Sequence, residues 1–246
     1  MGVLGVIGAK GGVGTSLVAV SLGLMMVPEW SCVLIDASPI IGVDDLLLDR
    51  TSDSDWADLL PVASELTQRH LDLAAPKHPT RLRLLAAPAV PRAADLAKLA
   101  CALADRVDLV IVDGDAGLSS ANRAWIPAVD VLAMVTTLDP TALRATRRIV
   151  DLIPHDRNGI GLIINQWTRG HPADPASLAS SLGLPLLGVL PLDPGAAFEC
   201  VNFGLRKSEI GVNGFPVAMI GLAQQVGAFL PSRGDRQRRA RTDAGQ

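Results

Sequence analysis

The sequence has no tyrosine, and with four phenylalanines and four tryptophans in 246 residues its aromatic content is only 3%. Surfaces that bind single-stranded nucleic acid stack bases on aromatic faces, so this composition disfavours that recognition and leaves open only phosphate contact with DNA. Cysteine is also scarce. Cys32, Cys101 and Cys200 stand far apart, with no CxxC pair and no histidine at ligand spacing. That argues against a zinc site or a disulfide framework and points to buried thiols in a reducing cytoplasm. A long apolar run is lacking near the N-terminus too. The best one near the N-terminus, residues 17–27, is broken by Ser21 and Gly23, is too short to span a bilayer and has no basic leader region before it. With 49% hydrophobic and 19% charged residues, the composition suits a large buried parallel sheet rather than a disordered or fibrous chain.

The charge is unevenly placed along the chain. Residues 231–246 hold five arginines and two aspartates, and taking that +3 from the total of −3 leaves about −6 on residues 1–230. The expectation is one acidic domain over 1–230 and a basic, disordered tail over 231–246.

What the sequence does have stands at its N-terminus. Gly8-Ala9-Lys10-Gly11-Gly12-Val13-Gly14-Thr15-Ser16 lies between apolar runs at 3–7 and 17–27. A strand, a glycine-rich turn and a helix opened by a hydroxyl residue make a phosphate cradle, because backbone N–H groups and the helix N-terminus converge on one anion. The pattern GxxxxGK[ST] would place Gly at position 9 and Lys at position 15, where this chain has Ala9 and Thr15. The loop lacks its usual phosphate-reaching amine.

Short apolar, β-branched runs then alternate with helix-length segments. Strands are expected at 3–7, 32–35, 82–86, 109–112, 131–135, 160–164 and 186–190, and helices at 96–104, 142–153, 175–182, 196–203 and 216–229, besides the one following the loop. Residues 37–80 have no clean period. Repeated strand and helix imply an α/β fold: a single three-layer domain, a mostly parallel twisted sheet with helices on both faces, and ligand chemistry at the carboxyl ends of the strands. Two expected strands end in a carboxylate there, Asp36 and Asp113. After a phosphate loop, four apolar residues closed by Asp form the usual second nucleotide motif, whose carboxylate supports magnesium beside the loop hydroxyl, here Ser16.

Together these residues resemble the deviant Walker P-loop ATPases that include MinD, ParA and the CpaE/TadZ pilus-localisation proteins. The resemblance rests on Lys10 to Gly14, Asp36, Asp113 with Gly117, Val135 to Arg144, Asn165 and Leu187 to Asp193, and it covers roughly residues 2–228. Spacing looks most like the MinD branch, and the loop ending Thr15-Ser16 looks like CpaE/TadZ. The resemblance implies ATP and Mg2+ as cofactors. Gly11, Gly12, Val13, Gly14, Thr15 and Ser16 would bind the phosphates, and Asn165 would face the adenine. Ser16, Asp36 and Asp113 would hold magnesium. Lys10 would reach across a homodimer interface to the partner's nucleotide, and Lys10 and Asp36 would serve hydrolysis.

Two departures weigh against fast hydrolysis: Thr15 replaces the family's lysine, and Ser38 its second aspartate two residues after Asp36. Losing an ammonium that contacts transferring phosphate removes a charge-assisted contact worth a few kcal/mol, or several orders of magnitude in rate where it is felt only in the transition state. Asp115 is a candidate replacement for the lost carboxylate, against its commoner reading as an exposed loop residue. The tail has no amphipathic apolar face of the kind that anchors MinD to membranes, so any membrane association would be peripheral. Many CpaE-type proteins also carry a receiver-like domain ahead of the first strand, with which this chain opens. The expected function is an ATP-binding, homodimerising protein that sets the cellular position of a pilus, secretion or division machinery, in the cytoplasm, at the inner face of the membrane or at a pole. The alternatives are a nucleotide-independent scaffold and a ParA-type DNA-partition ATPase, the latter disfavoured by the acidic body.

Overall fold

In the computed structural model, which describes residues 2–38, 42–50, 54–89, 93–153, 159–204 and 215–231, all seven strands are parallel and form one sheet. They are β1 Gly2–Gly8, β2 Cys32–Asp36, β3 Arg83–Leu85, β4 Leu109–Ala116, β5 Val131–Thr136, β6 Gly159–Trp167 and β7 Leu186–Pro191, in the spatial order β3-β2-β4-β1-β5-β6-β7. Helices α1 Thr15–Met26, α2 Asp44–Leu47, α3 Gln68–Ala74, α4 Ala93–Ala104, α5 Ser120–Trp125, α6 Pro140–Leu152, α7 Pro175–Ser181, α8 Pro194–Phe203 and α9 Phe215–Phe229 lie between and after them. Each expected strand is present at nearly its expected place. The segment without a clean period contains α2, a 3-10 helix at Trp56–Glu65 and α3.

The alternation of side chains along β1 separates two cores. Val3 and Ile7 pack on one face with Leu96, Leu99 and Leu103 of α4, Ile149 of α6 and Trp125. Leu4 and Val6 pack on the other with Val18 and Leu22 of α1 and Met219, Leu222 and Val226 of α9. Burial on both faces explains why the strands read as continuous apolar runs rather than alternating ones. Among the described residues no helix is long and apolar enough to cross a membrane.

Three helices begin at an Asp-Pro pair. Asp139, Asp174 and Asp193 are the N-caps of α6, α7 and α8, each accepting a hydrogen bond from a first-turn N–H, and the following proline fits there because its missing N–H would have no helical partner. This start signal places α6 and α8 two residues earlier than apolar periodicity does. The cysteines differ from expectation. None is in a disulfide, but only Cys32 is buried: Cys101 is exposed on α4, and Cys200 is half-buried on α8, a helix with no buried residue. The basic tail falls, apart from Pro231, outside the described residues.

Asp139→Ala removes the acceptor for the N–H groups of Thr141 and Ala142 and for the Thr137 hydroxyl. Denaturant unfolding of this variant should show a loss of about 1–2 kcal/mol, largely restored in Asp139→Asn, which keeps a capping oxygen.

Candidate functional site

The loop joins the central strand β1 to α1, and other strands hold its base. The Ala9 N–H donates to the Val135 carbonyl at 2.8 Å, and Gly117 N–H donates to the Gly8 carbonyl at 2.7 Å. Gly12 and Gly14 adopt φ values of 82° and 87°, where a side chain would be strained, and Gly14 caps α1 without any side-chain acceptor. The first N–H groups of α1 therefore face the loop without a capping side chain, the arrangement that favours an anion. A Cβ on Gly11 or Gly12 would meet nothing within 4 Å, so the loop's outer side is open.

Other residues strap the loop from behind. Asn165, 4% exposed near the end of β6, donates to the Val13 carbonyl at 2.9 Å, and its side-chain oxygen accepts from Gln166 N–H. Gln166 in turn donates to the Gly12 carbonyl at 3.0 Å. Both ends of the Asn165 amide are thus engaged by backbone, and its placement here is beneath the loop. Thr15 folds its hydroxyl inward, against Gly8. Lys10 lies across the mouth, its Nζ 3.5 Å from Asp139 and its side chain 39% exposed. Hydrogen bonds from Thr137, Thr141 and Ala142, with Lys10 adding, hold the Asp139 carboxyl well below the usual range.

Below the loop, three carboxylates converge. Asp36, the last residue of β2, is the register partner of Asp113, which lies inside β4 because that strand runs on to Ala116 rather than ending at the aspartate, and Asp44 enters from the start of α2. One oxygen from each lies within 4.8 Å of the others, and the residues are 3%, 1% and 0% exposed respectively. Ser16, in the first turn of α1, hydrogen-bonds Asp113. Ser38, which occupies the family's second aspartate position, donates its backbone N–H to Asp36 at 3.0 Å. Burial pushes Asp36 up to about 6, against the lowering effect of backbone hydrogen bonds from Ser38, Asp44 and Val43. Burial also raises Asp44, with repulsion from Asp113 and Asp36 adding to it, and raises Asp113 against the lowering effect of the Ser16 hydrogen bond. Such a set of donors fits a hard divalent cation: all are oxygens, and several receive no hydrogen bond from any group outside the set. Asp115 is not part of it. It lies on β4, where its N–H donates to buried Asn122 and its carboxylate accepts from Ala116.

Asp44 is the site residue that sequence reasoning missed. Its only local signal is the Asp44-Asp45 pair before Leu46-Leu47-Leu48, which by itself reads as an acidic first helical turn.

This all-parallel sheet order, with the loop after its central strand, is a fold that the chain shares with solved MinD and ParA family ATPases. A ParA family ATPase from Chlorobium tepidum superposes with a TM-score of 0.79 at 23% identity, over 91% of this chain and 97% of that one. The septum site-determining protein MinD of Pyrococcus horikoshii, complexed with Mg-ADP, superposes with a TM-score of 0.76 at 21% identity, over 91% and 95%. In sequence, the chain is similar to MinD of Synechocystis, 27% identical over 198 residues that cover 75% of this chain and 73% of that protein. It is also 26% identical over 245 residues to an uncharacterized protein of Mycobacterium tuberculosis, covering 94% of this chain. The chain spans 65% of the length of that mycobacterial relative. No family model matches.

Without a cation, the raised Asp36 value makes stability pH-dependent. An unfolded Asp titrates near 3.8 and the folded one near 6, so this group's contribution is full below about pH 4 and is lost as pH rises through 6. In EDTA the wild type should lose on the order of 3 kcal/mol more than Asp36→Asn between pH 4 and 8. Parallel unfolding curves for the two proteins across that range would refute the assignment.

Proposed function

We propose that this chain binds ATP with Mg2+ at the Gly8–Ser16 loop, dimerises when it does, and hydrolyses the nucleotide slowly or not at all. The observation that carries this reading is the pairing of an open, glycine-built loop with Ser16 hydrogen-bonded to Asp113, while Thr15 turns inward where the family has a lysine. Backbone N–H groups and the N-terminus of α1 supply phosphate binding that does not depend on that lysine. Ser16, Asp36 and Asp113 would hold magnesium, which when bound neutralises phosphate charge. Lys10, tied to Asp139 in the single chain, is on a flexible stem at the loop's open side and is the amine available to a partner's nucleotide.

The output we assign is positional: a nucleotide-stabilised homodimer that docks a protein partner of a pilus, secretion or division machinery. ATP acts by binding the dimer more tightly than the monomer. The deviant-loop, CpaE/TadZ-like subtype is supported by Lys10 together with Thr15-Ser16. A second reading, a scaffold that needs no nucleotide, is favoured by the two departures Thr15 and Ser38. DNA partition is disfavoured by the acidic body.

Isothermal titration with Mg-ATP separates the first two: binding below millimolar nucleotide is expected, and none at millimolar would leave the scaffold. Light scattering should then show ATP-dependent dimers that weaken in Lys10→Ala; undiminished dimerisation would remove Lys10 from the interface. Thr15→Lys restores the missing ammonium and should raise ATP turnover at least tenfold, equivalent to about 1.4 kcal/mol of transition-state stabilisation. A wild-type rate equal to that of the lysine variant would contradict the role given to Thr15.

A further inference from the structure

The carboxyl cluster has no cationic side chain to answer it. Asp36, Asp44 and Asp113 are all almost fully buried, and among the described residues no lysine or arginine forms an ion pair with any of them. Lys10, the basic residue of the loop, is drawn to Asp139, and Arg83 is held by Asp72 and the carbonyls of Leu71 and Ala75.

The oxygens divide into two sets. One Asp36 oxygen accepts from Ser38 N–H, and Asp113 is hydrogen-bonded by the Ser16 side chain and shares a hydrogen bond with the Asp44 carboxyl. Beyond the contact between their own two carboxyls, Asp44 and Oδ1 of Asp113 receive no hydrogen bond from any other group, although these oxygens are sealed from solvent. Gly42 makes room for the Asp36 carboxylate, since a Cβ there would collide with Oδ2. Unanswered buried carboxylates cost several kcal/mol each, and a protein keeps them together only where a proton or a cation joins them.

We propose that Asp36, Asp44 and Asp113 bind one hard divalent cation directly and without nucleotide, with Asp44 supplying the carboxylate that Ser38 does not. Oxygens that share an ion at about 2.1–2.4 Å are separated by at most about 4.8 Å, which matches the spacing of this set. With no thiolate or imidazole in it, the donor set selects magnesium, manganese or calcium over zinc. The substitution also explains how Ser38 is tolerated: the lost carboxylate returns from a different element, six residues further along the chain from Ser38. If the loop does hold ATP, a resident dication beneath it stands in part for the positive charge that Thr15 lacks; the cation site itself does not depend on that reading.

The test is Mn2+ titration of the full chain after EDTA treatment and desalting, with no nucleotide present, counting free ion by electron paramagnetic resonance. One ion per chain is expected in wild type and in the control Asp115→Asn, and at least tenfold weaker binding in the isosteric Asp44→Asn. Thermal unfolding gives a second readout: Mn2+ should raise the wild-type midpoint and leave that of Asp44→Asn unchanged, while a cooperative transition in EDTA shows that the variant is folded. Absence of wild-type binding below millimolar Mn2+, or equal binding by Asp44→Asn, would overturn the site. Because ATP is absent, this failure is distinct from failure of the nucleotide reading, which the ATP titration decides.

Discussion

Parallel pairing of β1 between β4 and β5 is the constraint on which the rest depends. Parallel strands all end at the same edge of the sheet, so whatever follows their last residues converges there. Through that geometry the loop after β1, Asp36 at the end of β2 and Asp113 near the end of β4 become neighbours, although 77 positions separate the two aspartates in sequence. The same pairing demands cover on both faces of the sheet, which α1 and α9 supply on one side and α4, α5 and α6 on the other.

The site concentrates unfavourable terms. It places glycines in left-handed conformations, leaves the first turn of α1 without a side-chain cap and buries three carboxylates together. None of these stabilises an empty protein. They are coherent if an anion sits on the loop and a cation sits beneath it, because each then satisfies what the other leaves open. Asn165 and Gln166 fit this pattern as supports, holding the loop by its carbonyl groups and so leaving its N–H groups facing outward.

Much of the architecture was legible because its signals are local. Continuous β-branched runs marked each strand, and the glycine loop between an apolar strand and a helix marked the site. The Asp-Pro pairs at 139–140, 174–175 and 193–194 are also local signals, but apolar periodicity alone sets two of the three helix starts two residues late. Residues 37–80 were harder. The 3-10 helix there has a proline inside it and repeats every three residues, and α2 is only four residues long, so neither shows a 3.6-residue period.

By itself the sequence determined the layer order, the loop and its departures at Thr15 and Ser38, since these depend on residue types at fixed short spacings. Only the tertiary structure decided that Asp44 joins Asp36 and Asp113 while Asp115 does not, that Lys10 meets Asp139, and that Asn165 grips Val13. Each of those contacts joins separate elements, and an aspartate at a helix start reads the same in sequence whether it faces water or a buried cluster. Burial, which the sheet imposes after the chain has folded, makes that distinction.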